Sequence, residues 1–373
     1  MSKLLKDKIF GALFHMLDVG LNNAGLDTIR ISALSDEDWD SLFSVANHHE
    51  VAPLISDVIS NNTTITVPID VRLKFLGMQE IAEQSYQHHL MVLTELLDFF
   101  KVHDIPTMVI KGVSLALYYP VPSHRKCGDI DIYQFGLQSY SDQQIYRSYG
   151  LTIKQSIVGH HTNYYYKDIS IENHYQFITT YYGGKTLELN ELLEKEANEA
   201  IQSEINDHVI FFPSPTLNAI FLPYHMAGHF REERVTLRQI LDWMMFLKNE
   251  YGNVEWKFVH EVYKNNNLLG FVNAINGILI HHLGMLRELA FLYEENIQLE
   301  QRILSDMMNV SDNSMPGLLG GLRHEWVQYI TSGWKYRLFN KNGCVELLKK
   351  VMAFMIHHDH FVAKELYPSS NVS

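Results

Sequence analysis

Two aspartates one residue apart, Asp129 and Asp131 in the run KCGDIDIYQF, sit where an apolar, β-prone stretch would take Val, Ile or Thr. Alternate residues of a strand point to one side, so both carboxylates are expected to project from one face. Like charges held that close raise each other's pKa unless a cation lies between them. Hard divalent ions take oxygen ligands and keep substrate phosphates in their shell. The pair therefore suits phosphoryl or nucleotidyl transfer once a third acid joins it from a neighbouring strand. Glu172, in SIENHYQF, is the leading third acid. Upstream, VIKGVSLALYYP ends a strand in Lys111-Gly112 and starts a short helix. Glycine at such a turn lets the backbone approach a phosphate, and the helix N-terminus favours an anion.

The elements that must position these residues form a mixed centre between helical flanks. Over 1–105 the pattern is helical: Ser35 caps LSDEDWDSLFSVANHH with acids in its first turn. From Val71 to His103 apolar residues recur every three or four positions, which predicts one long helix or two nearly continuous ones. The centre, 106–212, holds TMVI and DIDIYQF as strands. HTNYYYK and ISIENHYQFIT read as a hairpin turning at Lys167-Asp168, and LELNELLEKEANEAIQSE as an acidic helix. Helical spacing returns over 213–373, with a Gly-, Asn- and Ser-rich loop at 309–322. The fold class read from this order is α+β: a small mixed sheet flanked by N- and C-terminal helical regions.

At 373 residues, 46% hydrophobic and 20% charged, the chain has ordinary globular composition. A net charge of −13 and no basic stripe argue against nucleic acid as a partner. Two cysteines, Cys127 and Cys344, make neither a disulfide framework nor a four-thiolate zinc site. The N-terminal run is interrupted by Asp7 and Asp18 and reads as an amphipathic helix, and no segment has the roughly 18 apolar residues of a membrane span. The expected location is the cytoplasm.

The middle block resembles the uncharacterised nucleotidyltransferases of the DNA polymerase β-like superfamily, the group marked by an LKG…YP…R…GDIDL signature. Here that signature stands as Ile110-Lys111-Gly112, Tyr118-Tyr119-Pro120, Arg125 and Gly128-Asp129-Ile130-Asp131-Ile132. An early His-containing helix is matched by ANHHEVAPL, a Glu-x-His strand by Glu172-Asn173-His174, and a later H…D region by His225 and Asp242. The resemblance implies Mg²⁺ (or Mn²⁺) held by Asp129, Asp131 and Glu172, with an NTP as co-substrate. An unidentified small-molecule or protein hydroxyl would attack its α-phosphate. Glu172 would also serve as base. Gly112 would shape the phosphate turn, with Lys111, Ser114 and Arg125 as phosphate contacts and His174 touching substrate or bracing Glu172. The turn itself reads Gly112-Val113, where the wider superfamily prefers Gly-Gly or Gly-Ser.

Two other classes compete. One is a non-catalytic nucleotide-binding protein that keeps the fold. The other is a metal-dependent phosphohydrolase built on HHDH at 357–360. His225 and His229 have the four-residue spacing of zinc ligands, but HMAGH lacks the glutamate a metalloprotease needs, so both are read as packing residues. Tyr164, Tyr165 and Tyr166, with Tyr181 and Tyr182, are read as core or cross-strand aromatics.

Overall fold

The computed structural model describes residues 3–155, 159–180, 184–232, 234–308, 333–339 and 364–367. The loop expected at 309–322, the HHDH run at 357–360, and Tyr181, Tyr182 and Cys344 lie outside these described residues.

Helices Lys3–Asn22, Asp36–His48 and Ala52–Asn61 precede one continuous 34-residue helix, Ile69–Val102. Ser35 caps the second of these by accepting from the Asp38 N–H, while the Asp38 carboxylate accepts from the Ser35 N–H. The long helix joins two hydrophobic cores. Its first half contributes Val71 and Phe75 to the larger core, which spans the N- and C-terminal helices. Its second half presses Val92, Leu93, Leu96, Leu97 and Phe100 against the sheet.

Among the described residues the sheet has eight strands: β1 (Met108–Val109), β2 (Ile130–Tyr133), β3 (Ile153–Gln155), β4 (His161–Tyr166), β5 (Ile169–His174), β6 (Ile201–Ile205), β7 (His208–Phe212) and β8 (Lys364–Tyr367). Their order is β6-β7-β1-β2-β5-β4-β3-β8. β2 runs parallel to β5 and antiparallel to β1. The β4–β5 hairpin turns at Lys167 and Asp168, whose φ of 47° and 65° are the left-handed values a two-residue turn requires. The acidic helix is shorter than its composition predicts. It covers Lys185–Glu196, and Ile201–Ile205 is a strand instead. The reason is a second left-handed turn, at Asn206 and Asp207 (φ 49° and 66°), which folds β7 back onto β6. A polar helix, Gln138–Tyr149, packs Ile145 behind the sheet.

Period-2 geometry gives the sheet two different faces. Ile130 and Ile132 of β2, with Ile169 and Ile171 of β5, enter the smaller core. Asp131 and Glu172 therefore point the other way. Asn173 belongs to the core-side set, yet it is polar. Its amide donates to Gln134 Oε1 and Asp142 Oδ1, both at 2.9 Å, and Thr162 Oγ1 donates to Asp142 Oδ2 at 2.7 Å. This buried network ties β4 and β5 to the helix behind them and so fixes which way Glu172 faces. Burial pushes the Asp142 carboxyl up to about 6, against the pull of its Thr162, Asn173 and Gln138 donors. Among the described residues, no helix is long and apolar enough to cross a membrane.

Candidate active site

The parallel pairing of β2 with β5 sets Asp131 directly beside Glu172. With His174 they form a group whose ligand atoms all lie within 4.8 Å of one another. Asp129 sits one residue before β2 and lines the same cavity, of about 470 Å³. Two carboxylates and an imidazole around one point are a donor set for a divalent cation.

Asp131 is 1% exposed and already charge-balanced. Its Oδ1 lies 2.8 Å from Lys111 Nζ and 3.0 Å from His174 Nε2. Burial alone would raise its pKa, but the Lys111 ammonium and the His174 hydrogen bond outweigh burial and hold it well below the usual carboxylate range. The same contacts raise Lys111 and His174 despite their burial. Asp129 moves the other way: burial and the Asp131 charge push it up, against the pull of Lys111. The two aspartates thus differ in basicity although they share one cavity.

Lys111 is delivered by the end of β1, where the Ile110 N–H donates to the Asp131 carbonyl at 3.0 Å. Gly112 follows with φ 67° and ψ −110°, a conformation that disfavours any side chain. A Cβ there would also come within 3.3 Å of the Asp129 carbonyl. The helix beyond is a single turn, Val113–Ala116, too short to contribute the dipole expected from the sequence. Ser114 turns its hydroxyl back to donate to the Lys111 carbonyl at 3.3 Å.

Arg125 lines the same cavity, with its guanidinium engaged by the scaffold. It is 3% exposed and binds Asp242 bidentately, Nε–Oδ1 at 2.8 Å and Nη2–Oδ2 at 2.9 Å, while the Tyr119 hydroxyl donates to Asp242 Oδ1 at 2.9 Å. Its fork is taken up by Asp242 of the helix Leu237–Glu250, a carboxylate that lines the same cavity. The ANHHE motif is also scaffold. Glu50 Oε2 accepts from Arg238 Nε at 2.7 Å, and buried His49 takes the Leu237 N–H on Nδ1 at 3.4 Å. Burial lowers the His49 pKa to about 4, which keeps that nitrogen an acceptor.

Sequence spacing did not reveal the histidine wall. His160, His161, His225 and His229 all line the cavity. His225 Nε2 is 3.5 Å from Lys111 Nζ and 3.1 Å from His229 Nε2, so the HMAGH pair faces the site where packing had been expected. Arg231, Arg238 and Gln239 add polar lining, and Phe177, Ile178, Leu222 and Met226 add apolar lining. Of the tyrosine run, Tyr164 is core, Tyr165 is exposed and Tyr166 donates to Glu95 Oε2 at 3.2 Å.

No curated protein matches the chain at a significant level. An antigenic nucleotidyltransferase-like protein from Paracoccidioides brasiliensis, known from its crystal structure, is similar at 13% identity and a TM-score of 0.30, over 43% of this chain and 75% of that one. A family model described as "uncharacterised nucleotidyltransferase" matches residues 35–281, which is more than half of the chain. That span holds the Lys111-Gly112 turn, the Asp129/Asp131 strand and Glu172; the chain belongs to this nucleotidyltransferase family.

Proposed function

We propose that this protein transfers a nucleoside monophosphate from an NTP to a hydroxyl acceptor in the cavity before β2 and β5. The observation that carries the reading is the Asp131–Glu172 pairing at the wall of a 470 Å³ cavity, with Lys111 against Asp131. A cavity of that size suits a small ligand. The donor set fits the divalent ion that the family's chemistry implies: Asp131 and Glu172 with Asp129 beside them. When bound, Mg²⁺ or Mn²⁺ would neutralise triphosphate charge and polarise the reacting phosphorus.

The chain's own groups supply the remainder. The acceptor oxygen attacks the α-phosphorus, its bond to the bridging oxygen breaks, pyrophosphate leaves, and the hydroxyl proton passes to Glu172. Lys111, paired with Asp131, would turn its ammonium to the phosphates when Asp131 holds a cation, with Arg231 as a further positive charge lining the cavity. Arg125 positions: through Asp242 it fixes the loop that leads into β2. Phe177, Ile178, Leu222 and Met226 give the cavity an apolar wall that limits competing water. The acceptor is a small-molecule or protein hydroxyl able to enter this cavity.

The Lys111–Asp131 ion pair also supports a second reading, a nucleotide binder that has replaced one cation with its own ammonium. A thermal-shift panel of NTPs with and without Mg²⁺ or Mn²⁺, followed by a pyrophosphate-release assay over acceptor pools, separates the two. Transfer predicts metal-dependent NTP stabilisation and turnover, both lost in Asp131→Asn. Metal-dependent binding without pyrophosphate from any pool favours the binder. An absence of NTP binding defeats both.

A further inference from the structure

We propose that His160, His161 and His174 form a Zn²⁺ site, distinct in chemistry from the carboxylate set although His174 is common to both. Each imidazole offers one nitrogen, and the three nitrogens lie within 4.8 Å of one another. Ring centroids are 5.0 Å (His160–His161), 5.1 Å (His160–His174) and 5.2 Å (His161–His174) apart.

The sheet itself brings the three together. His161 and His174 are direct cross-strand partners in the β4–β5 ladder. The His160 carbonyl accepts from the Tyr175 and Gln176 N–H groups at 3.1 Å each, which fixes the residue preceding β4 against the end of β5.

Two features point to a ligand. His161 Nδ1 is buried with no hydrogen-bond partner, a costly arrangement unless something else takes its lone pair. His174 Nδ1 lies 3.3 Å from the Gln176 carbonyl, the outer contact that orients a metal-ligating histidine, and its Nε2, 3.0 Å from Asp131 Oδ1, is the nitrogen that would turn to the metal. Imidazoles bind metal in the neutral form, and rings this close repel one another when protonated.

Imidazole selects Zn²⁺ and its neighbours, whereas Mg²⁺ prefers oxygen. Zn–N bonds of about 2.0–2.1 Å put tetrahedral nitrogens about 3.3–3.4 Å apart, so modest ring rotations close the site. His160 and His161 line the cavity, which leaves the fourth position to water or a substrate oxygen. His160 and His161 lie outside the carboxylate set, while His174, shared with it, would turn its Nε2 from Asp131 to the metal.

The test uses the full chain stripped with a chelator and titrated with Co²⁺, then Zn²⁺, in excess Mg²⁺. Expected are one equivalent bound, the visible band of low-coordinate Co²⁺ and displacement by Zn²⁺. In His160→Ala and His161→Ala, Zn²⁺ affinity should fall by more than about tenfold. Circular dichroism checks the variants' fold. X-ray absorption at the zinc edge of the wild-type protein, which needs no variant, should show an imidazole-containing shell. An all-oxygen shell, displacement by Mg²⁺, or unchanged affinity in both variants overturns the proposal. If the zinc site passes while the NTP panel fails, transfer alone falls; the reverse result removes only the zinc site.

Discussion

Replacing Asp242 by alanine is predicted to destabilise the protein far more than any single contact near the cavity, and the pattern of rescue tests the role given to Arg125. Asp242 is 6% exposed and Arg125 3%. Two hydrogen bonds, of 2.8 and 2.9 Å, join them. Removing one member of such a pair leaves a buried charge uncompensated, at a cost of about 3–5 kcal/mol. Asp242→Ala and Arg125→Met should each lose about that much.

The double variant Arg125→Met/Asp242→Leu removes both charges and leaves one orphan, the Tyr119 hydroxyl, whose 2.9 Å bond went to Asp242. An unsatisfied buried hydroxyl costs about 1–3 kcal/mol, so adding Tyr119→Phe should bring stability near wild type. Urea unfolding of the set, with slopes checked for equality, reads the series directly. A cost below about 1 kcal/mol for either single variant, or a double variant no more stable than the singles, refutes the buried-pair account. NTP binding by the triple variant supplies a second reading. A scaffold role predicts that binding is retained; a folded triple variant that loses it restores Arg125 as a phosphate contact.

His124 bridges two helices, Nδ1 to Asp57 at 2.6 Å and Nε2 to Glu83 at 2.7 Å. Burial lowers its pKa, but hydrogen bonds to Asp57 and Glu83 overcome that and raise it. Its stabilising contribution is therefore full below the unfolded value near about 6.5 and is lost as pH rises through the higher folded one. Urea midpoints measured across that range should decline in the wild type and decline less in His124→Gln. Asp142 titrates in the folded protein at about 6, raised by burial from 3.8, so stability should fall as pH climbs from the lower value through the higher. Asp142→Asn should flatten that pH profile, read as urea midpoints across the same range; a variant whose midpoints still decline as steeply as wild type would count against it. Gly112→Ala meets both the positive φ and the Asp129 carbonyl at 3.3 Å, for a loss of about 1–3 kcal/mol seen as a lower unfolding midpoint.

Much of the centre was legible because its signals are local. GDIDI announces a strand with acids on one parity, Lys167-Asp168 announces a hairpin, and the unbroken spacing from Val71 predicts the long helix. Asn206-Asp207 carries the same turn chemistry as Lys167-Asp168, but the acidic helix before it masked the alternation in β6 and β7. The polar helix Gln138–Tyr149 gave no apolar stripe to read, since its buried positions include Gln138, Ser141 and Asp142.

What local pattern cannot supply is the partner across the chain. Arg125 and Asp242 are 117 residues apart and Lys111 and His225 are 114 apart, so a signature read along the sequence does not separate a residue that grips substrate from one that holds the frame. The structure divides that signature by what each group binds. Lys111, Asp129, Asp131 and Glu172 line the cavity; Arg125 lines it too, but its guanidinium, like the Tyr119 hydroxyl, ends on Asp242, and the polar groups of His49 and Glu50 end on the same helix. The parity of β5 makes the same division within three residues. Glu172 and His174 face forward, and Asn173 between them is anchored to Asp142 behind. A one-residue slip of that strand would turn both forward groups into the smaller core and the amide outward. The buried polar network is therefore as much a condition of the site as the acids themselves.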